Sequence, residues 1–391
     1  MASFWINLTD NCNLNCSYCY QKVRKYGNMT LETAGQVVSM IKERCKVVGA
    51  ETLKLTFFGG EPLLNFDALK YIVDSFSDFE FPATFLMTSN FSLASDEIIN
   101  FLVKHDFGMM ISIDGDEDTQ ELNRSSADKT KKHNTFSSLI NAINKLNKLE
   151  YGENFRLAKV IASNSAANLK KDIIFLSELH KDIVINFDNN VYTDWEITPE
   201  DERVLREELK KAFEWYLNDG RTKGVRVDFF EACLENVANM FMCGSSTNLS
   251  SCLGIDSIMP TFSPDGAIHA CHLLFEMFEN EEGQKTTEEL IHLLEHSEDY
   301  GKLKNEQLAE TFNGRFKADT CIACRYFHYC RYDFIDDWAS VCFYRLYGVN
   351  TGIGHRKSNF TSSFCINRFM NDYIFEAINN GEVDINALLQ Q

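Results

Sequence analysis

Residues 12–20 read CNLNCSYCY and set three thiols, Cys12, Cys16 and Cys19, in one short stretch. Thiolates bind soft or borderline metals, and iron–sulfur clusters draw cysteines from tight runs of this kind. A cubane needs four ligands, so three cysteines from one loop leave one iron open. An open iron can hold a substrate or cofactor, which a closed structural site cannot do. A zinc site completed by a distant residue, or unconnected thiols, fits the same spacing.

The remaining cysteines are unevenly placed. Of thirteen in the chain, one more lies at Cys45 and nine lie from Cys233 onward. The start, MASFWINLTD, lacks the basic and apolar regions of a signal peptide, and no apolar run approaches the ~20 residues of a membrane helix. The expectation is a cytoplasmic protein, where clustered cysteines mean metal or catalysis more often than disulfides. A net charge of −19 gives no general pull toward nucleic acid or anionic membrane, so neither is expected as a partner.

Positioning these residues calls for a scaffold, and the first 190 residues supply a pattern for one. Extended apolar runs at 3–9, 52–58, 83–90, 108–115, 155–162 and 183–188 alternate with amphipathic segments at 66–77, 95–105, 135–148 and 168–180. After Thr30, an N-cap, Leu31, Ala34, Val37, Val38, Ile41 and Cys45 share one helical face. Such alternation predicts parallel β/α units: an α/β fold, a partial (β/α)6 TIM-type barrel with chemistry at the C-terminal strand ends. CNLNCSYCY, GGEP (59–62), TSN (88–90) and SIDG (112–115) then fall on one rim. Residues 198–218 read as a long solvent-facing helix and 220–227 as a linker. Domains are expected at 1–224 and 225–391. TFSPDGAIHAC (261–271) reads as a hairpin turning at Pro264-Asp265-Gly266.

Cys12-x3-Cys16-x-Tyr18-Cys19 resembles the signature of the radical S-adenosylmethionine (SAM) enzymes. The resemblance implies a [4Fe–4S] cluster held by Cys12, Cys16 and Cys19, with SAM on the fourth iron. Cleavage of SAM in that family gives a 5′-deoxyadenosyl radical that abstracts hydrogen from substrate. Tyr18 falls where the family lays an aromatic ring against the adenine. Gly59-Gly60-Glu61-Pro62 resembles the GGEP motif that binds the SAM amino group. Glycines can expose backbone at a strand end, and Glu61 can face an ammonium. Ser89 and Asn90 match positions that touch the ribose or methionyl part, Ser112 and Asp114 the fourth-strand position, and Arg124 an arginine that pairs with the SAM carboxylate. The resemblance covers about the first 220 residues.

Downstream, Gly266-x4-Cys271, Cys321-x2-Cys324-x5-Cys330 and two later cysteines resemble the SPASM extension, which carries two auxiliary [4Fe–4S] clusters in peptide-modifying members. By that resemblance Cys321, Cys324, Cys330 and Cys365 hold one cluster. Cys252, Cys271 and Cys342 hold the other, with Cys243 as a candidate fourth ligand. Eleven residues, RYDFIDDWASV, separate Cys330 from Cys342, a departure that leaves Cys342 and its loop open. Zinc ribbons on Cys321-x2-Cys324 are the alternative. Cys45 and Cys233 fit helical faces and read as core thiols.

A substrate radical often must lose an electron before it becomes product, and buried clusters can accept one. The resemblance therefore implies a maturase of a ribosomally made peptide that installs a thioether or carbon–carbon cross-link. The alternative is an anaerobic sulfatase-maturing enzyme that forms formylglycine from cysteine or serine. His272 stands where the sulfatase-maturing relatives carry an aspartate. A histidine there is a candidate base, or a hydrogen-bond donor to cluster sulfur. A non-enzymatic scaffold would have no use for a SAM site. The implied partners are a peptide or protein substrate and an external one-electron donor of flavodoxin or ferredoxin type. With eleven residues ahead of Cys12, the leader is expected to bind elsewhere on the chain or through a separate leader-binding protein.

Overall fold

The computed structural model describes residues 1–19, 21, 26–128, 132–187, 199–241, 260–269 and 366–383. In chain order its elements are β1 (Ala2–Asn7), β2 (Leu14–Cys16), α1 (Leu31–Val47), β3 (Leu53–Phe58), α2 (Phe66–Asp74), β4 (Ala83–Ser89), α3 (Asp96–Lys104), β5 (Gly108–Ser112), α4 (Glu117–Asn123), β6 (Arg124–Ser126) and α5 (Lys132–Lys148). There follow β7 (Phe155–Ile161), α6 (Leu169–Leu179), β8 (Asp182–Phe187), α7 (Pro199–Trp215), β9 (Arg226–Val227), α8 (Asp228–Phe241), β10 (Thr261–Phe262), β11 (Ile268–His269) and α9 (Ile366–Asn379). They fall into two compact units.

The first unit comprises Met1–Ser165, Lys171–Asn186 and Met259–Ile291. Its strands run in the order β11-β10-β1-β3-β4-β5-β7-β8. Pairing is parallel from β10 through β1, β3, β4 and β5 to β7. One row of the register passes through Ile6, Phe57, Met87, Met109 and Phe155. All six expected strands form, because each is a short apolar run bounded by helix-forming sequence. Thr30 caps α1, its hydroxyl accepting from the Thr33 N–H at 3.0 Å. Ala34, Val37, Val38, Ile41 and Cys45 are buried along the helix. Leu31 is not, being 54% exposed, because a first helical residue points back past the helix start. The expected hairpin also forms, as β10 and β11, and β10 lies alongside β1.

The second unit comprises Ala166–Lys170, Phe187–Ile258 and His292–Gln391. Leu205, Leu209, Ala212 and Phe213 are buried along α7, so this helix is not solvent-facing all round. Their spacing makes one apolar stripe, and Arg203 and Arg206 pair with glutamates on the charged side. Phe213 packs edge-on against Phe230 of α8 and Tyr373 of α9. Residues 220–227 are not a loose linker: a π-helical turn over Tyr216–Gly220 leads into a 3-10 turn and then β9. Among the described residues no helix is long and apolar enough to cross a membrane.

The centre of the first unit is aromatic. Phe57, Phe85 and Phe107 lie with ring centroids 5.4–6.4 Å apart, and Phe57 is fully buried. Phe57→Ala is expected to destabilise the fold by about 3–5 kcal/mol, read as a fall in the urea unfolding midpoint.

Candidate active site

The loop that carries the three thiols is closed at its base by backbone. Asn7, at the end of β1, donates through Nδ2 to Asp10 Oδ1 at 2.9 Å. Asp10 Oδ2 accepts the Tyr26 N–H at 2.8 Å, and the Asp10 N–H donates to the Gly27 carbonyl at 3.0 Å. The GGEP segment then zips onto the same stretch: the Gly60 N–H donates to Thr9 O at 2.7 Å and the Glu61 N–H to Asn11 O at 2.8 Å. A Cβ at Gly60 would stand 2.3 Å from the Asn11 carbonyl, and one at Gly59 would stand 2.4 Å from that of Thr9. These glycines are needed for the close approach of two loops.

Glu61 is fully buried. Its Oε1 accepts from Ser89 Oγ at 2.7 Å and the Leu63 N–H at 3.0 Å, while Oε2 accepts from the Asn90 N–H at 2.8 Å. It thus bolts the turn after β3 to the turn after β4. Burial pushes its carboxyl up to about 7, against the pull of those three bonds. Pro62 is buried in the 3-10 turn that follows. The Asn90 amide donates to Asn13 Oδ1 at 2.9 Å and lies 3.9 Å from Cys12 Sγ, which also accepts the Leu14 N–H at 3.4 Å.

Cys16 is fixed from another side. β2 and β6 form a two-stranded antiparallel ribbon in which Cys16 stands opposite Arg124. Arg124 Nε lies 3.0 Å from Oδ1 of Asp114, which is fully buried just beyond β5. Asp114 also accepts from the Tyr18 hydroxyl, from Asn123 Nδ2 at 3.0 Å and from the Val160 N–H at 2.9 Å. The Arg124 guanidinium sits over the Tyr18 ring at 5.2 Å. Burial alone would raise the Asp114 carboxyl, but Arg124 and Lys159 overcome it and hold it below 3.8. Burial and the neighbouring carboxylate push the Tyr18 hydroxyl well above 10. Ser112 ends β5 opposite Ala158.

The structure therefore gathers Cys12, Cys16, Cys19, Tyr18, Glu61, Ser89, Asn90, Asp114 and Arg124 on loops at the C-terminal strand ends. Cys243, Cys252, Cys271, His272, Cys321, Cys324, Cys330, Cys342 and Cys365 lie outside the described residues. Cys12, Cys16 and Cys19 are half-buried, whereas Cys45 and Cys233 are buried. Among the described residues no three His, Cys, Asp or Glu side chains are drawn together as a single-ion site. A cubane makes a different demand, since each thiolate binds a separate iron. The donor chemistry fits such a cluster: three thiols come from one short loop, and the Leu14 N–H and the Asn90 amide are directed at Cys12 sulfur, which favours a thiolate. Lys159, Asp172 and Asn123 are buried polar residues that the sequence motifs do not contain. The only signal for Lys159 is a charge inside the apolar run FRLAKVIA.

Residues 6–156 match the model of the Radical SAM superfamily. The chain carries a radical SAM domain. It is 26% identical over 146 residues to the radical SAM cyclopropyl synthase TigE of Paramaledivibacter caminithermalis, covering 34% of this chain and 30% of that protein. It is 24% identical over 286 residues to the cysteine-type anaerobic sulfatase-maturating enzyme of Clostridium perfringens, covering 67% of this chain and 72% of that one. The chain thus spans under a third of TigE. The structure of anSMEcpe with bound AdoMet and the Cp18Cys peptide superposes with a TM-score of 0.66 at 18% identity, covering 100% of this chain and 99% of that one. That likeness shows the fold, a partial barrel. The radical SAM superfamily binds SAM and a [4Fe–4S] cluster, and the thiol loop of this radical SAM domain lies within the matched residues.

The raised Glu61 carboxyl has a pH consequence for the radical SAM domain. Its folded value, about 7, lies above the ordinary 4.5, so the folded chain keeps a proton that the unfolded chain has released. Stability from this group is complete at low pH and is lost as pH rises through about 7. Glu61→Gln cannot ionise. The gap between wild-type and variant urea midpoints should shift against the wild type from pH ~5.5 to ~7.5.

Proposed function

We propose that this protein is a radical SAM maturase acting on a residue of a ribosomally synthesised peptide, giving a thioether or carbon–carbon cross-link. The observation that carries the reading is the ribbon that sets Cys16 opposite Arg124 and brings both to Asp114 and Tyr18. Cys12, Cys16 and Cys19 would hold a [4Fe–4S] cluster. When bound, the cluster and SAM supply reductive cleavage to a 5′-deoxyadenosyl radical that takes hydrogen from the substrate. Arg124 offers its guanidinium to the SAM carboxylate, and Tyr18 offers its ring to the adenine. Gly59, Gly60 and Pro62 shape the turn around Glu61, Ser89 and Asn90 serve the ribose or methionyl part, and Ser112 and Asp114 take the fourth-strand position. Asn90 and the Leu14 N–H direct donors at Cys12 sulfur, which favours the thiolate.

In this reading residues 1–224 form the radical SAM domain and residues 225–391 a SPASM domain. Cys321, Cys324, Cys330 and Cys365 hold one auxiliary cluster, and Cys243, Cys252, Cys271 and Cys342 the other. His272 is the base that takes the substrate proton. The external donor is a flavodoxin or ferredoxin, and a separate protein presents the leader. A second reading, formylglycine formation from cysteine or serine, is favoured by the 286-residue alignment to the sulfatase-maturating enzyme.

Two measurements test these readings. Anaerobic reconstitution should give about twelve irons per chain, falling to about eight when Cys12, Cys16 and Cys19 are all changed to Ala. About four irons, lost entirely in the variant, would remove the auxiliary clusters from the proposal. Incubation with candidate peptides is read by mass spectrometry. Loss of two hydrogens with a new cross-link supports the first reading, and replacement of a cysteine thiol by an aldehyde supports the second.

A further inference from the structure

Beneath the Asp114 cluster lies a second buried charge pair that none of the proposed cofactor contacts uses. Lys159 projects inward from β7 and is fully buried. Its Nζ donates to the main-chain carbonyl of Asp114 at 2.5 Å and to Asp172 Oδ2 at 2.9 Å. Asp172, fully buried in the first turn of α6, also accepts the Thr119 hydroxyl from α4 at 2.9 Å. The turn between β5 and α4 rests directly on this pair: a Cβ at Gly115 would come within 2.3 Å of Asp172 Oδ1. The next residue of β7, Val160, donates its N–H to the Asp114 carboxylate. Two adjacent residues of one strand thus grip both the carbonyl and the carboxylate of Asp114. On the far side, Asp114 binds Arg124 and Tyr18.

We propose that Lys159, seated on Asp172, is a positioning residue for SAM binding: it fixes the Ile113–Asp116 turn so that Asp114 aims Arg124 and Tyr18 at the cofactor. A carboxylate orients a guanidinium only if its own backbone is held. The Asp114 N–H is held by Gln120 Oε1 at 2.8 Å, and its carbonyl by Lys159. Take away the ammonium, and that carbonyl is left buried without its donor beside two carboxylates. The Cys12–Cys19 loop has its own tethers at Asp10, Asn11 and β6, so cluster binding does not depend on Lys159. The inference rests on the reading of Arg124 and Tyr18 as SAM contacts.

The test uses the full chain, reconstituted anaerobically, with three readouts: iron per chain, SAM affinity by equilibrium dialysis, and the change that SAM causes in the electron paramagnetic resonance spectrum of the reduced cluster. Lys159→Met should keep wild-type iron, weaken SAM binding by about tenfold or more and diminish the spectral change. Leu157→Ala, a core truncation on the same strand, is the control for destabilisation alone and should bind SAM as the wild type does. If Lys159→Met does not fold, Thr119→Val replaces it. Removing the Thr119 bond frees Asp172 and should weaken SAM binding about threefold. SAM affinity within twofold of wild type in the folded variant would overturn the proposal, as would an equal loss in Leu157→Ala. A wild-type chain that holds iron but no SAM would overturn the cofactor reading itself and the positioning role with it.

Discussion

A fully buried carboxylate, that of Asp114, is met by a guanidinium at 3.0 Å, a phenol, an amide and a backbone N–H. Taking such a charge out of water is costly unless it is paired and fully hydrogen-bonded. The solution recruits parts of the chain far apart in sequence: Tyr18 from the thiol loop, Asn123 from the end of α4, Arg124 from β6 and Val160 from β7. Each must arrive for the others to be stable there. The ion pair therefore draws Tyr18, the ribbon and two strand ends into a single site, while the base of the thiol loop is tied separately at Asp10 and Asn11. The ribbon makes the link direct, since the residue opposite Cys16 is the arginine that Asp114 holds.

Glu61 shows what the same rim does with a carboxyl that lacks a cation. Its partners are a hydroxyl and two backbone N–H groups, all neutral, and burial prevails: its carboxyl rises to about 7 while that of Asp114 stays below 3.8. The two acids divide the work. One organises charged groups around the thiol loop. The other joins the GGEP turn to the turn after β4, and through Asn90 reaches Cys12 sulfur.

Much of this arrangement is legible in the sequence. The parallel strands read directly, because apolar runs such as TLKLTFF are buried on both faces. The N-cap at Thr30 and the turn of TFSPDGAIHAC read from local chemistry alone. Motif order also put Tyr18, Asp114 and Arg124 on one rim. What resisted reading is non-local. Glu61 looks like a residue for an incoming ammonium, yet its surroundings are set by Ser89 and Asn90, which only strand pairing brings near. Lys159 belongs to no motif, and only the fold brings Asp172 and the Asp114 carbonyl beside it. α7 reads as solvent-facing because charged residues outnumber the stripe of Leu205, Leu209 and Phe213 that buries it.

The placement of β10 beside β1 bears on how the chain is made. The second neighbour of this N-terminal strand is supplied by Thr261 and Phe262, more than 250 residues later. During synthesis β1 and β3 leave the ribosome well before β10, and one edge of β1 stays unpaired until that later segment has emerged. An open parallel edge next to Trp5 and Ile6 is a surface on which nascent chains can stick. The pairing beside β1 is completed only once Thr261 and Phe262 have been translated. Slow elongation therefore prolongs the exposure, and chaperone demand during translation should track the delay before residue 262 rather than the length of the thiol-bearing half.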